Sequence, residues 1–354
     1  MTSSTAYHRL ARTDAHRWWR PIVGTAFIVV AGAVLAFAGY LVFGVAAAIA
    51  GRPGGADGAP SFGPRGDLAM SFLMIAALLP VTLLAARWIQ RRPAGTVSSV
   101  TGRLRWRWLL VCLPVACGAI VVFLGAGFAL AAVTGVDSGL GDPLAGWVPF
   151  LLSMLVLLLV VPPQAAAEEY LVRGWLLQGL GTYFRRPWVP IAVQAVVFAA
   201  LHGWGTPWGF ADLLVFAVTA GYLTVRTGGL EAAIALHVMN NLIGSVLAAA
   251  YNDLGVDETA ADMPWQFAVV DLPVLLGYAG VILWLARRHG IARTTPAEPI
   301  AAEPGPQHRG ESRRATMHGP AAETDLVAAA GGHVKSAPRL GKPGILEASD
   351  RFGA

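Results

Sequence analysis

Long apolar stretches separated by short polar loops dominate this chain. Eight of them carry almost no charge and reach, or nearly reach, the roughly 20 residues that a helix needs to cross a bilayer. They cover residues 22–50, 68–86, 108–133, 147–180, 188–202, 208–225, 230–250 and 265–286. The pattern predicts an all-α fold, a polytopic membrane helix bundle with about eight transmembrane helices.

Two of the predicted spans are irregular. The fourth is too long for one straight span and contains Pro162 and Pro163. Because proline removes a backbone hydrogen bond and clashes inside a helix, we expect this helix to be bent or split there. The fifth stretch is short and the sixth follows it almost at once. The boundary between these two predicted spans is therefore the least clearly marked in the sequence.

The charges in the loops predict an orientation. Arginines precede the first span and occur after the second, fourth, sixth and eighth, whereas the loops after the third and seventh are acidic. By the positive-inside rule, both termini are cytoplasmic in this multi-pass protein of the cell membrane. The predicted organisation is a cytoplasmic segment 1–20, a transmembrane domain 21–288 with a catalytic core at about 147–250, and a disordered cytoplasmic tail 289–354.

Composition agrees with this fold class. Of 354 residues, 55% are apolar and 13% are charged, against about 25% charged in an average soluble domain. These values exclude a soluble globular enzyme, a disordered chain and a secreted disulfide scaffold. The arginines of the tail are mixed with acids, so we expect no nucleic-acid partner. The lipid bilayer is the expected environment.

Ionisable groups inside spans are costly and therefore point to function. Glu169 and Arg173 are four residues apart on a helix, the spacing of an intrahelical ion pair. Glu168 lies about 100° round the helix from Glu169 and is expected to face elsewhere, without a partner in its own helix. We therefore expect Glu169 and Arg173 to brace the helix and Glu168 to be free for chemistry. A purely structural charge cluster is the alternative.

Two further polar groups lie in later spans. Phe198 and His202 share one helical face, as do His237 and Asn241. At about 1.5 Å per residue, Glu168, His202 and Asn241 lie roughly 16 to 21 Å from the cytoplasmic face, with His237 nearer 10 Å. The shared depth predicts that these groups meet near the middle of the bilayer. The alternative is a purely structural role, in which the histidines are packed and the asparagines hydrogen-bond one helix to another.

Three other acidic residues lie near the predicted ends of spans: Asp212, Glu231 and Asp271. At these positions a carboxylate can reach the interface or cap a helix terminus. We expect them to do one or the other rather than to take part in chemistry.

The ordered set Glu-Glu-x-x-x-Arg, Phe-x-x-x-His and His-x-x-x-Asn resembles the CAAX proteases and bacteriocin-processing enzymes (CPBP, or Abi, family). These intramembrane endopeptidases include the type II CAAX prenyl endopeptidase. The matching residues are Glu168, Glu169, Arg173, Phe198, His202, His237 and Asn241. The resemblance implies that Glu168 and His202 activate water and that His237 and Asn241 stabilise the oxyanion. Glu169, Arg173 and Phe198 are expected to give structural support.

The resemblance leaves the use of a metal open. Glu168, His202 and His237 would form the two-histidine, one-glutamate ligand set of a catalytic Zn²⁺ site. In that case Glu169 would be the only nearby carboxylate left as a base, in competition with its pairing to Arg173. This conflict slightly favours a metal-free mechanism.

Two functions from different classes are compatible with the pattern. The first is an intramembrane endopeptidase acting on a peptide or lipidated peptide, either prenylated and CAAX-like or bacteriocin-like. The second is a non-catalytic or proton-coupled membrane transporter or immunity protein with a central polar cluster. No internal repeat is evident in the sequence, and this absence disfavours a transporter built from inverted repeats.

Overall fold

Eight helices account for most of the described structure. The computed structural model describes residues 4–54, 58, 61–136, 143–251, 254 and 259–296. The helices are α1 (Arg20–Ile49), α2 (Pro64–Trp88), α3 (Trp106–Val133), α4 (Trp147–Gly181), α5 (Trp188–Leu201), α6 (Pro207–Thr227), α7 (Glu231–Ala250) and α8 (Trp265–Arg288). Short 3₁₀ turns lie at Tyr7–Arg9, Ala94–Val97 and Ala260–Asp262. The predicted all-α class is confirmed.

Seven of these helices are long and apolar enough to cross a membrane, which makes the chain a multi-pass membrane protein. The exception among the described helices is α5, which has 14 residues. At about 1.5 Å per residue it is roughly 21 Å long, shorter than the hydrocarbon core of about 30 Å. The fifth apolar stretch is also the shortest of the eight in the sequence, so a membrane crossing by α5 stays a prediction.

The contacts between helices place α7 at the centre of the bundle. It packs against α3, α4 and α6, while α8 packs against α3 and α6, and α5 packs against α6. The first half of α7 is buried from Glu231 to Val238. By contrast, α1 lies at the edge against α2 and turns Val29 and Phe37 outward. Outward apolar side chains suit a helix surrounded by lipid.

The fourth helix departs from its prediction. It runs as one α-helix through Pro162 and Pro163 as far as Glu169, so of the two expected outcomes at the prolines, a bend or a split, the split does not occur. The hydrogen-bond pattern changes farther along, in a π-helical segment at Tyr170–Leu176, before α-helix resumes at Leu177–Gly181. π-Helical turns inside α-helices are frequent at functional sites. Here the turn begins directly after Glu169.

The N-terminal segment is bound to one end of the bundle. The Tyr7 hydroxyl donates to the carbonyl of Val97, and Arg9 donates to the carbonyl of Gly181 at the end of α4. These carbonyls would otherwise lack an intrahelical partner. Thr5 exchanges hydrogen bonds with Thr295. Nearly all of the predicted disordered tail, residues 297–354, lies outside the described residues.

Candidate active site

The contact between α4 and α7 forms the core of the candidate site. Arg173 Nη1 donates to Glu169 Oε1 at 2.8 Å, and His237 Nδ1 lies 2.8 Å from the same oxygen. Both members of the Glu169–Arg173 pair are fully buried. The predicted intrahelical pair is therefore present. Because a carboxylate only accepts hydrogen bonds, this contact places a proton on Nδ1 of His237.

Glu168 does not face away from this group. Its Oε2 lies 3.6 Å from His237 Nε2, so the two glutamates lie beside opposite nitrogens of one imidazole. The prediction that Glu168 has no partner in its own helix is also wrong, because Gln164 Nε2 donates to its Oε1 at 2.5 Å. The side chain of Glu168 is 17% exposed and that of Glu169 is 0% exposed. Of the two carboxylates, Glu168 is the one that water can reach.

Gln164 connects the two helices and was not identified from the sequence. Its Nε2 bonds Glu168, and its Oε1 accepts from Asn241 Nδ2 at 3.1 Å. Gln164 precedes Glu168 by four residues, and this spacing was the available signal. His237 and Asn241 both contact α4 and thus share a face of α7, as their spacing predicts. The amide also fixes which oxygen of Glu168 is left for chemistry, namely Oε2.

Two aromatic rings enclose the buried charges. The Arg173 guanidinium lies over Phe198, with Cζ 4.3 Å from the ring centroid, and 5.9 Å from the centroid of Phe216. Both rings also meet the edge of His237, at centroid distances of 5.8 and 5.5 Å. Cation–π contact gains strength where water is excluded. Phe216 has no distinguishing signal in an apolar span, and sequence reasoning missed it.

His202 ends α5 and faces the same region. Its Nδ1 lies 2.9 Å from the Phe198 carbonyl oxygen, and since a carbonyl can only accept, Nδ1 donates there. In the neutral ring Nε2 is then a proton acceptor. His202, His237, Asn240 and Asn241 line one cavity of about 40 Å³, large enough for one or a few water molecules. The structure thus brings His202, His237 and Asn241 to one cavity, whereas Glu168 is not among its lining residues and lies beside it through His237.

The expectation that Asp212 and Asp271 reach the interface is wrong. Both are buried and line this cavity, because α6 and α8 pack together and turn the two carboxyls inward. Each lies several residues inside its helix, the signal that could have identified them. Glu231 is fully buried and pairs with Arg105 at 2.6 Å instead of facing solvent.

The predicted metal ligands do not fit a metal ion in their present arrangement. Within the described part of the chain, no group of three or more His, Cys, Asp or Glu side chains is placed to hold one. The hydrogen bonds at Nδ1 of His237 and His202 leave only Nε2 of each ring for a further contact. The mechanism proposed below uses only groups of the chain itself.

The sequence of this region has known relatives. Residues 147–243 match the family model of type II CAAX prenyl endopeptidase Rce1-like proteins. The match includes every residue of the three motifs and confirms the family resemblance for this segment. The chain is also 27% identical over 242 residues to the uncharacterized protein YyaK of Bacillus subtilis (strain 168), covering 64% of this chain and 77% of that protein. No solved structure matches the chain significantly.

Proposed function

Residues 147–243 carry an Rce1-like domain of the type II CAAX prenyl endopeptidases, and on this premise we propose that the protein is an intramembrane endopeptidase. The observation that carries the proposal is the placement of Glu168 and Glu169 at the two nitrogens of His237, beside a small polar cavity. Peptide hydrolysis needs a base for water, donors for the oxyanion and a proton for the leaving amine.

Glu168 is the proposed general base. Gln164 occupies its Oε1, so Oε2 takes the proton as the water oxygen attacks the peptide carbon. His202 assists from the cavity wall, where its Nε2 accepts the second hydrogen of the water and orients it. A base within hydrogen-bond reach of its water contributes typically about 10²- to 10⁴-fold to a rate.

His237 and Asn241 are the proposed oxyanion donors. His237 donates a hydrogen bond from Nδ1 to Glu169. Its Nε2 therefore carries a hydrogen to donate only when the ring is the imidazolium. Two flanking carboxylates compensate that charge. Asn241 has a second amide hydrogen beyond the one bonded to Gln164. Glu169, Arg173 and Phe198 hold the imidazole in place and act as positioning residues.

The proposed substrate is a membrane-associated peptide, lipidated or not, cut within its chain. The family match supports a peptide, and the burial of the site among apolar helices supports delivery from the bilayer. The proposed orientation has both termini in the cytoplasm, because the arginine-rich loops lie on the same side of the membrane as the termini.

The test is cleavage of a peptide library by purified protein in liposomes. The library contains the same peptides with and without a prenylated cysteine, and mass spectrometry identifies new termini. We expect internal cleavage by the wild type and a loss of about 10² or more in His202→Ala. His289→Ala replaces an exposed histidine outside the cavity and should keep the wild-type rate. Absence of any cleavage by the wild type would contradict the proposal.

A further inference from the structure

A second pair of carboxyl groups faces the cavity of the proposed peptidase site. Asp212 on α6 and Asp271 on α8 are 8% and 6% exposed, and both line the cavity. The two carboxyl groups lie within hydrogen-bonding reach of each other. Within the described residues, no salt bridge includes either side chain. Neither aspartate therefore has an ion-pair partner among these residues.

This arrangement requires a proton. A carboxylate has no hydrogen to donate, so a hydrogen bond between two carboxyl groups forms only when one of them is protonated. Two adjacent carboxylates in a site poor in water also repel each other too strongly to be ionised together. A pair of carboxyl groups that shares one proton carries a single negative charge in place of two.

The cavity joins this proton to the proposed catalytic groups. His202 and His237 are the titratable side chains that line it with the two aspartates, and Asn240 and Asn241 are its other polar walls. The remaining lining is mainly apolar, including Phe123 on α3 and Phe216 on α6. Burial of an acid pair inside membrane spans is costly, and such groups therefore point to function. Glu168 acts as the base for water, and no other residue of the proposed mechanism donates a proton to the leaving amine. The aspartate pair can supply this proton.

We propose that Asp212 and Asp271 share one proton across the cavity and act as the general acid that protonates the leaving amine. This inference rests on the proposed peptidase function. Glu168 first takes a proton from water, whose oxygen bonds to the peptide carbon while the carbonyl electron pair moves to oxygen. When the carbonyl re-forms, the C–N bond breaks, and its electron pair takes the proton from the aspartates.

The proton balance closes after one further transfer. As the amine departs, protonated Glu168 returns its proton to the aspartate pair by way of water beside His237, which lies 3.6 Å from Glu168 and lines the cavity. The two aspartates are therefore never ionised together, and both groups are restored. The net change is one water added across the peptide bond, with no redox step and no other reactant.

The test compares a peptide with its thioester analogue at the scissile bond, using a library peptide that the wild type cleaves. An amine cannot leave without a proton, whereas a thiol, with a pKa of about 8.5, departs readily as thiolate. We expect Asp212→Asn and Asp271→Asn each to lower peptide cleavage by about 10² or more and thioester cleavage by less than about 10-fold. Glu168→Gln should lower both reactions, because each needs activated water.

Asp67→Asn is the matched control and should leave both rates unchanged, because its carboxylate bonds Ser61 and the N–H of Phe62 and does not line the cavity. Unchanged peptide cleavage in both cavity variants, or equal losses on peptide and thioester, would overturn the acid role while leaving the peptidase proposal intact. No hydrolysis by the wild type would overturn both.

The shared proton has a readout that is independent of activity. Infrared difference spectra between the wild type and Asp212→Asn should contain the C=O stretch of a buried carboxylic acid. The same band should be missing from Asp271→Asn, since removal of either partner removes the pair. A wild type without this band would overturn the sharing of a proton, whatever the kinetics.

Discussion

The buried Glu169–Arg173 pair allows a prediction with a definite magnitude. Arg173→Met keeps much of the side-chain volume over Phe198 but removes the charge, leaving Glu169 as a buried carboxylate. Removing one partner of a buried ion pair costs about 3 to 5 kcal/mol. His237 still contacts Glu169 at 2.8 Å, so we expect a loss near the lower limit, about 3 kcal/mol of unfolding free energy.

The double variant separates charge from packing. Glu169→Gln together with Arg173→Met removes the stranded charge, and the glutamine oxygen can still accept from His237. We expect it to recover about 1 to 3 kcal/mol relative to Arg173→Met alone, the range of coupling between residues in contact. The assay is denaturant unfolding in one detergent, followed by tryptophan fluorescence. A single variant within about 0.5 kcal/mol of wild type, or a double variant with no recovery, would refute the reasoning.

Three further predictions concern the ends of the bundle. Arg105→Leu strands the buried Glu231 carboxylate and should lower the unfolding free energy by about 3 kcal/mol, with partial recovery on adding Glu231→Gln; additive losses in the cycle would contradict the pair. Burial lowers the pKa of His8, so protonation opposes docking of the N-terminal segment: docking is strongest above pH about 6.5 and weakens as pH falls through the lowered value. Limited proteolysis of this segment should be faster at low pH in the wild type, and its pH dependence should be smaller in His8→Gln, where His16 alone keeps a lowered pKa; the same pH dependence in both would contradict this origin. A reporter fused to the C-terminus should be active only on the cytoplasmic side, and activity outside would reverse the orientation.

The fold could be predicted from the sequence because hydropathy determines which segments enter a membrane. The long apolar runs predicted all eight described helices, and the shortest run became α5, the one helix below the spanning length. Hydropathy could not predict whether the helix continues through Pro162 and Pro163. Proline removes one hydrogen bond but does not determine whether neighbouring helices keep the chain helical.

The site could be predicted in part. Helical spacing correctly paired Glu169 with Arg173, because that contact lies within one helix. The positions of Glu168 and Gln164 depend on how α4 meets α7, which spacing along one helix does not contain. The position of Asp212 has the same origin, because the packing of α6 on α8 turns its side chain away from the interface. Contacts between helices account for these differences.

The assignment of Glu168 as the catalytic base is tested most directly by Glu168→Gln. The amide keeps the size of the side chain, removes the proton acceptor and is easier to bury than a carboxylate, so folding should match wild type. The account predicts that peptide cleavage falls by at least about 10²-fold at unchanged folded yield. In the comparison variant, Glu169→Gln, yield should fall first, because Arg173 loses its partner. Cleavage at the wild-type rate by well-folded Glu168→Gln protein would contradict the account.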